Sequence, residues 1–190
     1  NTWSKFTLEQ FPKHIKEFGF LNQLENETFA EEDPVNRKAA EAMAALHNEL
    51  RDANFTGHEL ELLLVRLVFC LFANDSGIFE QHIFDKFLAN RTKVDGTDTG
   101  PLLGKIFETL NTPEENRQTS LDEDIAIFPY INGGLFSEIT RMPDFTSAMR
   151  DKLLSTTILD WSSVSPAIFG SMFQGVMDEK TRRNLGAHYT

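Results

Sequence analysis

Leu60-Glu61-Leu62-Leu63-Leu64-Val65-Arg66-Leu67-Val68-Phe69-Cys70-Leu71-Phe72-Ala73 is the most apolar run in the chain. Glu61 and Arg66 interrupt it, and it falls short of the ~18 uninterrupted apolar residues that a membrane span requires. It therefore reads as a buried helix, apolar nearly all round, which makes it the central element of the fold. Thr56 with Glu59 three residues on has the form of a capping box that would open this helix. Asn74-Asp75-Ser76-Gly77 would close it. Arg66 must find a partner there, because an unpaired buried guanidinium costs several kcal/mol. A structural ion pair is the expected solution.

Amphipathic helices flank this element on both sides. Upstream, Asp33-Pro34 is a good helix start, with an N-cap acid and Pro at the first helical position. Val35, Ala39, Ala42, Met43, Leu46 and Leu50 then share one face, and the helix is expected to end near Asn54. Trp3 to Phe20 also has roughly helical spacing, broken at Pro12. The acids from Glu25 to Asp33 read as a solvated loop rather than a metal or basic-partner site. Downstream, Ile83, Phe84, Phe87 and Leu88 mark a short helix. Residues 92–100 are a polar loop, and Pro101 opens a helix with Leu102, Leu103, Ile106, Phe107 and Leu110 on its apolar stripe.

Thr112-Pro113-Glu114-Glu115 looks like a further helix start, and Asp122-Glu123-Asp124 like an acidic turn. Phe128-Pro-Tyr-Ile-Asn-Gly-Gly-Leu-Phe136 is the least helical segment. Its Asn-Gly-Gly signals a turn needing positive φ, or a short hairpin. Helix resumes from Thr146 to Ser155 and again after Ser165-Pro166, with Phe169, Met172, Phe173 and Val176 on one face. The expected fold is all-α: an irregular multi-helix bundle around a central buried helix, with one short non-helical turn or hairpin segment.

Composition limits what such a bundle can do. At 190 residues the chain suits one domain, or one domain and a small appendage. Seventeen Phe supply bulky apolar area for a substantial core. The formal charge of −11 argues against a chain that grips DNA by itself, since phosphate neutralisation supplies most of that affinity. The single Cys70 excludes a disulfide framework and a Cys-based metal site, and fits a reducing compartment.

Catalytic signatures are missing. No Glu-x-Lys occurs, so the carboxylate–lysine half of a metal-dependent nuclease centre is absent. His58-Glu59 could begin a His-Glu-x-x-His zinc site, but position 62 is Leu. There is no P-loop, dinucleotide fingerprint or Gly-x-Ser-x-Gly elbow. The five His, at 14, 47, 58, 82 and 188, lack ligand spacing. This chain is expected to have no catalytic activity and no cofactor of its own.

Four separated stretches, in order, carry a resemblance. They are Arg66 to Phe79, Phe128 to Phe136, Trp161 to Phe173, and Arg182-Arg-Asn-Leu-Gly-Ala-His-Tyr-Thr190. Together they resemble the helical spacer, and the start of the methyltransferase domain, of the MmeI-like type IIG/IIL restriction–modification enzymes and related large bacterial adenine-specific DNA methyltransferases. The likeness spans roughly residues 60–190 and is weaker before that. It implies a spacer over residues 1–180, with N-terminal helices in 1–55, and a junction at 181–190 leading into a methyltransferase domain. Asn at position 1 and the ending Gly-Ala-His-Tyr-Thr both read as cuts through a longer protein.

The same resemblance implies that the parent uses S-adenosylmethionine to methylate adenine N6 in specific DNA, and that it can carry a nuclease domain cutting at a fixed distance. His188, Tyr189 and Thr190 would form the first edge of the cofactor site. The cofactor loop and the Pro-Pro-aromatic motif that holds a flipped adenine are absent from this sequence. Partners would then be the neighbouring methyltransferase and nuclease domains of the same chain, with DNA met only through the parent, no membrane, and a cytoplasmic location. Two other readings compete. One is a free-standing helical protein–protein interaction module with Phe-rich surfaces, and the other a small helical enzyme using the acidic clusters.

Overall fold

Helix α1 (Pro34–Asp52) and helix α2 (His58–Ser76) form the first pair of an all-helical unit. The computed structural model describes residues 34–80 and 82–165, which all belong to the unit that begins at Pro34. The expected helices at Trp3 to Phe20 and beyond Pro166 lie outside the described residues. Four more helices follow: α3 (Ile83–Arg91), α4 (Thr99–Asn111), the single turn α5 (Glu123–Ala126) and α6 (Ser147–Thr156). Two 3-10 turns, Glu114–Asn116 and Trp161–Ser163, complete the order. No strand occurs among the described residues.

Twelve of the nineteen residues of α2 are buried, which sets it apart from a surface helix with one apolar stripe. Leu67 and Val68 are wholly excluded from solvent, and each such Leu contributes roughly 1.5–3 kcal/mol through burial. Helices α1 and α3 and the 161–163 turn pack on it, while α6 packs on both α1 and α3. Helix α1 buries Ala39, Met43, Leu46 and Leu50, the stripe expected from its sequence. Helix α3 buries Ile83, Phe84, Phe87 and Leu88, again as expected.

The start of α2 differs from the capping-box expectation. Gly57, with φ 73°, occupies the N-cap position and no side chain caps the helix. Thr56 is one residue too early to reach the orphan amides. Glu59 is drawn off to Arg141, whose amide it accepts at 3.4 Å and whose guanidinium lies 3.6 Å away. The end of α2 is as read: Gly77 takes the left-handed conformation, φ 80°, that glycine alone adopts without strain.

Helix α4 begins at Thr99, two residues before the expected Pro101, which still falls in the first turn, where a missing N–H is no loss; the chain at Met142 and Pro143 lies against these first turns. A Cβ at Gly100 would overlap the Pro143 carbonyl, and one at Gly104 would stand 3.2 Å from the Met142 Cγ. Gly100→Ala is therefore expected to cost about 1–3 kcal/mol by overpacking. Urea unfolding followed by far-UV circular dichroism would measure it, and an unchanged midpoint would mean that the 142–146 segment does not rest on α4.

The expected helix at Thr112-Pro113 amounts to one 3-10 turn. Arg117 holds the following chain down instead, donating to the carbonyls of Thr109, Thr112 and Ala126. The Asn-Gly-Gly segment forms a turn and no hairpin. Its backbone groups are committed to helices: the Ile131 amide donates to Leu110 O at 2.8 Å, and the carbonyls of Leu135 and Glu138 are taken by Arg66. No strand forms among the described residues of this segment.

Candidate functional site

Three polar anchors tie irregular chain to the helices, and they are the most specific features of the unit. The first is Arg66, 2% exposed in the middle of α2. Its Nε donates to Leu135 O at 2.9 Å, one terminal nitrogen to Glu138 O at 2.6 Å, and the other to Thr140 Oγ1 at 3.3 Å. Phe107 and Phe136 face the guanidinium at 5.6 and 5.8 Å. Burial pulls the group below its ordinary pKa, and the negative charge of Glu138 opposes that shift.

The ion-pair expectation for Arg66 is thus corrected. Two carbonyl oxygens and a hydroxyl accept from it without dragging a second full charge out of water, which is the costly part of a buried pair. The Glu138 carboxylate turns instead to His58, 3.0 Å from Nε2. Arg66, Phe107, Phe136, Ile139 and Met142 line a groove of about 470 Å³, and Ile139 on its rim is fully exposed.

The second anchor is Asn74-Asp75 at the end of α2. Asn74, 3% exposed, accepts the Phe84 amide at 3.0 Å, so α2 caps the start of α3 across ten residues. Its Nδ2 donates to Asp75 Oδ1 at 3.0 Å, and Asp75 Oδ2 accepts the Trp161 amide at 2.8 Å. The third anchor is Arg150 on α6, which donates to Thr92 Oγ1 at 2.7 Å and Thr92 O at 3.2 Å, and so places a cation at the C-terminus of α3. Sequence reading passed over Asn74, Asp75 and Arg150. A lone Arg on a short helix carries no periodic signal, and Asn-Asp-Ser-Gly looked like punctuation alone.

The acidic turn is also structural. Asp122 caps α5 and, with Asp124, pairs with Arg91, whose hydrogen bond holds the Asp122 carboxyl below its usual pKa range. Cys70 is fully buried, and burial pushes its thiol well up, away from a reactive thiolate. Among the described residues no group of three or more His, Cys, Asp or Glu is arranged to hold a metal. No helix among them is long and apolar enough to cross a membrane. His188, Tyr189 and Thr190 lie outside the described residues.

These anchors tie irregular chain to the helices, and together they define an all-helical unit with no metal-holding cluster among the described residues. Residues 58–136 match the family described as the helicase spacer domain of MmeI, and residues 1–53 match MmeI's N-terminal domain. The chain belongs to this family of MmeI N-terminal and helicase spacer domains. It is 34% identical over 186 residues to DNA methyltransferase A of Bacillus subtilis (strain 168), a match covering 96% of this chain and 21% of that protein. A solved structure of the type IIL restriction-modification enzyme MmeI in complex with DNA is 54% identical, with a TM-score of 0.69 over 83% of this chain and 21% of that one. The chain therefore spans about a fifth of the length of either relative. The two family matches meet between residues 53 and 58, yet α1 from the first packs on α2 and α6 in the same core.

Proposed function

We infer that this chain is the non-catalytic helical spacer of a longer DNA methyltransferase of the restriction–modification type. The observation that carries the reading is the 34% identity to a DNA methyltransferase, which covers 96% of this chain. The parent transfers a methyl group from S-adenosylmethionine to adenine N6 in specific DNA, and a nuclease part, where present, is held at a fixed distance from the sequence reader. Residues 1–180 form the spacer and 181–190 the junction, with His188, Tyr189 and Thr190 as the first edge of the cofactor site. Its partners are the adjoining domains of the same chain, DNA is met through the parent, and the protein works in the cytoplasm. The polar anchors support this role, since they use arginine and asparagine to fix loops rather than to meet a ligand.

The test has two arms. Expressing the longer protein with unmethylated DNA and labelled S-adenosylmethionine should give label in adenine N6, and its absence from adenine would overturn the reading. Calorimetric titration of the 190-residue chain with S-adenosylmethionine should give no binding heat. Micromolar binding would mean that the pocket is built upstream of residue 190.

A further inference from the structure

Asn132 is the only asparagine in the chain that is followed by glycine. Asn132, Gly133 and Gly134 are all exposed, and a Cβ at either glycine would meet nothing within 4 Å, so the turn stands open to water. Among the described residues no hydrogen bond engages the Gly133 amide. The Tyr130 hydroxyl stands 3.5 Å from Asn132 Oδ1, long for a hydrogen bond.

The chain on either side of this turn is fixed. Before it, the Ile131 amide donates to Leu110 O at 2.8 Å. After it, Arg66 holds the Leu135 carbonyl, Phe136 is 4% exposed, and the Ser137 hydroxyl donates to Gly134 O at 2.8 Å. An open Asn-Gly-Gly is therefore presented between two anchored arms. Asn74 is the opposite case: it is 3% exposed, its side chain is hydrogen-bonded to Phe84 and Asp75, and an aspartate follows it.

We propose that Asn132 is a self-modifying site, deamidated by attack of the Gly133 amide nitrogen on its side-chain carbonyl, with the Tyr130 hydroxyl steadying the oxygen on which charge develops. Glycine lacks the Cβ that would crowd the attacking nitrogen. The nitrogen gives its proton to hydroxide and bonds to Cγ of Asn132. The Cγ–Nδ2 bond breaks, ammonia leaves with a proton taken from water, and a cyclic imide remains. Water then opens the ring: at the former side-chain carbonyl it gives aspartate, and at the backbone carbonyl isoaspartate. Nothing is oxidised or reduced, and water is the only co-reactant. The long Tyr130 contact is of the kind that tightens as the oxygen gains charge. Either product adds a negative charge, and isoaspartate also adds a methylene to the backbone between the Leu110 and Arg66 anchors. The proposal goes beyond the spacer reading and does not depend on it.

The folded 190-residue chain is held at neutral and at mildly alkaline pH, then digested for mass spectrometry with fragmentation that tells isoaspartate from aspartate. Position 132 should lose its amide faster than any other asparagine, faster still at the higher pH, and should yield both products. Gly133→Ala crowds the nucleophile and should slow the loss about ten-fold. That variant also strains a φ of 146°, so Tyr130→Phe supplies a second comparison. It should slow the loss about two- to ten-fold in the folded chain, the worth of one ordinary hydrogen bond, and leave it unchanged in urea. Aspartate without isoaspartate would overturn the ring step. Loss no faster than at Asn74, or seen only in urea, would show that the fold shields the turn and would sink the proposal. Equal folded-state rates for Tyr130→Phe and the parent sequence would overturn the part given to the hydroxyl.

Discussion

Arg66→Ala is expected to destabilise the unit by about 3–5 kcal/mol, in line with breaking a buried, hydrogen-bonded charge network. The variant deletes three donors at once. The carbonyls of Leu135 and Glu138 and the hydroxyl of Thr140 each lose a partner, and the Phe107 and Phe136 rings lose the cation that faces both. For a chain of this size that loss lowers the thermal midpoint by roughly 10 °C. Arg66→Lys keeps the charge but cannot span three acceptors with one compact ammonium, so it should recover less than half of the loss. Thermal and urea unfolding would measure both variants. If Arg66→Ala lay within about 1 kcal/mol of the parent, the range of ordinary surface changes, the 135–140 segment would not be held through Arg66.

Arg66 also marks where sequence reading stops. That it needed a partner follows from its place in an apolar run, because the cost of an unpaired buried charge is local physics. Which partner it takes depends on a segment some seventy residues away, and nothing in the periodicity of α2 encodes that. The same division holds elsewhere. Leu46, Leu50, Phe84 and Phe87 repeat at helical spacing, and all are buried as that spacing implies. The end of α2 was legible because Gly77 takes a conformation that other residues resist. Its start was not: Thr56 and Glu59 fit a capping pattern, but Arg141, eighty-two residues on, competes for the Glu59 carboxylate.

The Asn-Gly-Gly segment shows how an open choice closes. Positive φ at Gly133 was readable, and Gly133 has φ 146°. Turn against hairpin was not readable, because a hairpin needs free amides and carbonyls on both arms. Leu110 takes the Ile131 amide before the turn and Arg66 the Leu135 carbonyl after it. Asn36 and Asp75 were hidden for a related reason. Asn36 looks like any polar residue in a first helical turn until Ser165 is brought beside it, and the Asp75 carboxylate acquires a task only when Trp161 docks on α2.

Phe128→Ala is expected to lose about 3–5 kcal/mol, the usual range for removing a buried Phe side chain. Phe128 is wholly buried and sits edge-on to three rings. Phe79 lies at 5.5 Å and 89°, Phe87 at 5.9 Å and 79°, and Phe84 at 6.5 Å and 84°. Such pairs add about 0.5–1.5 kcal/mol beyond area burial. Two of the three rings come from α3 and the third from the chain just after α2, so Phe128 is what fastens the start of the irregular segment to both. Phe128→Leu refills most of the volume without the ring edges and should cost about 1–2 kcal/mol. The comparison therefore separates space-filling from ring geometry. A sharper check is the cycle with Phe79→Ala, since directly touching residues couple by about 0.5–3 kcal/mol. Phe79 also meets Phe69, which meets Phe136 beside Arg66, so one line of rings runs from Phe128 to the arginine clamp. Urea unfolding of the single and double variants gives the coupling. Losses that simply add would mean that Phe79 and Phe128 fill space independently and do not lock the segment to the chain after α2.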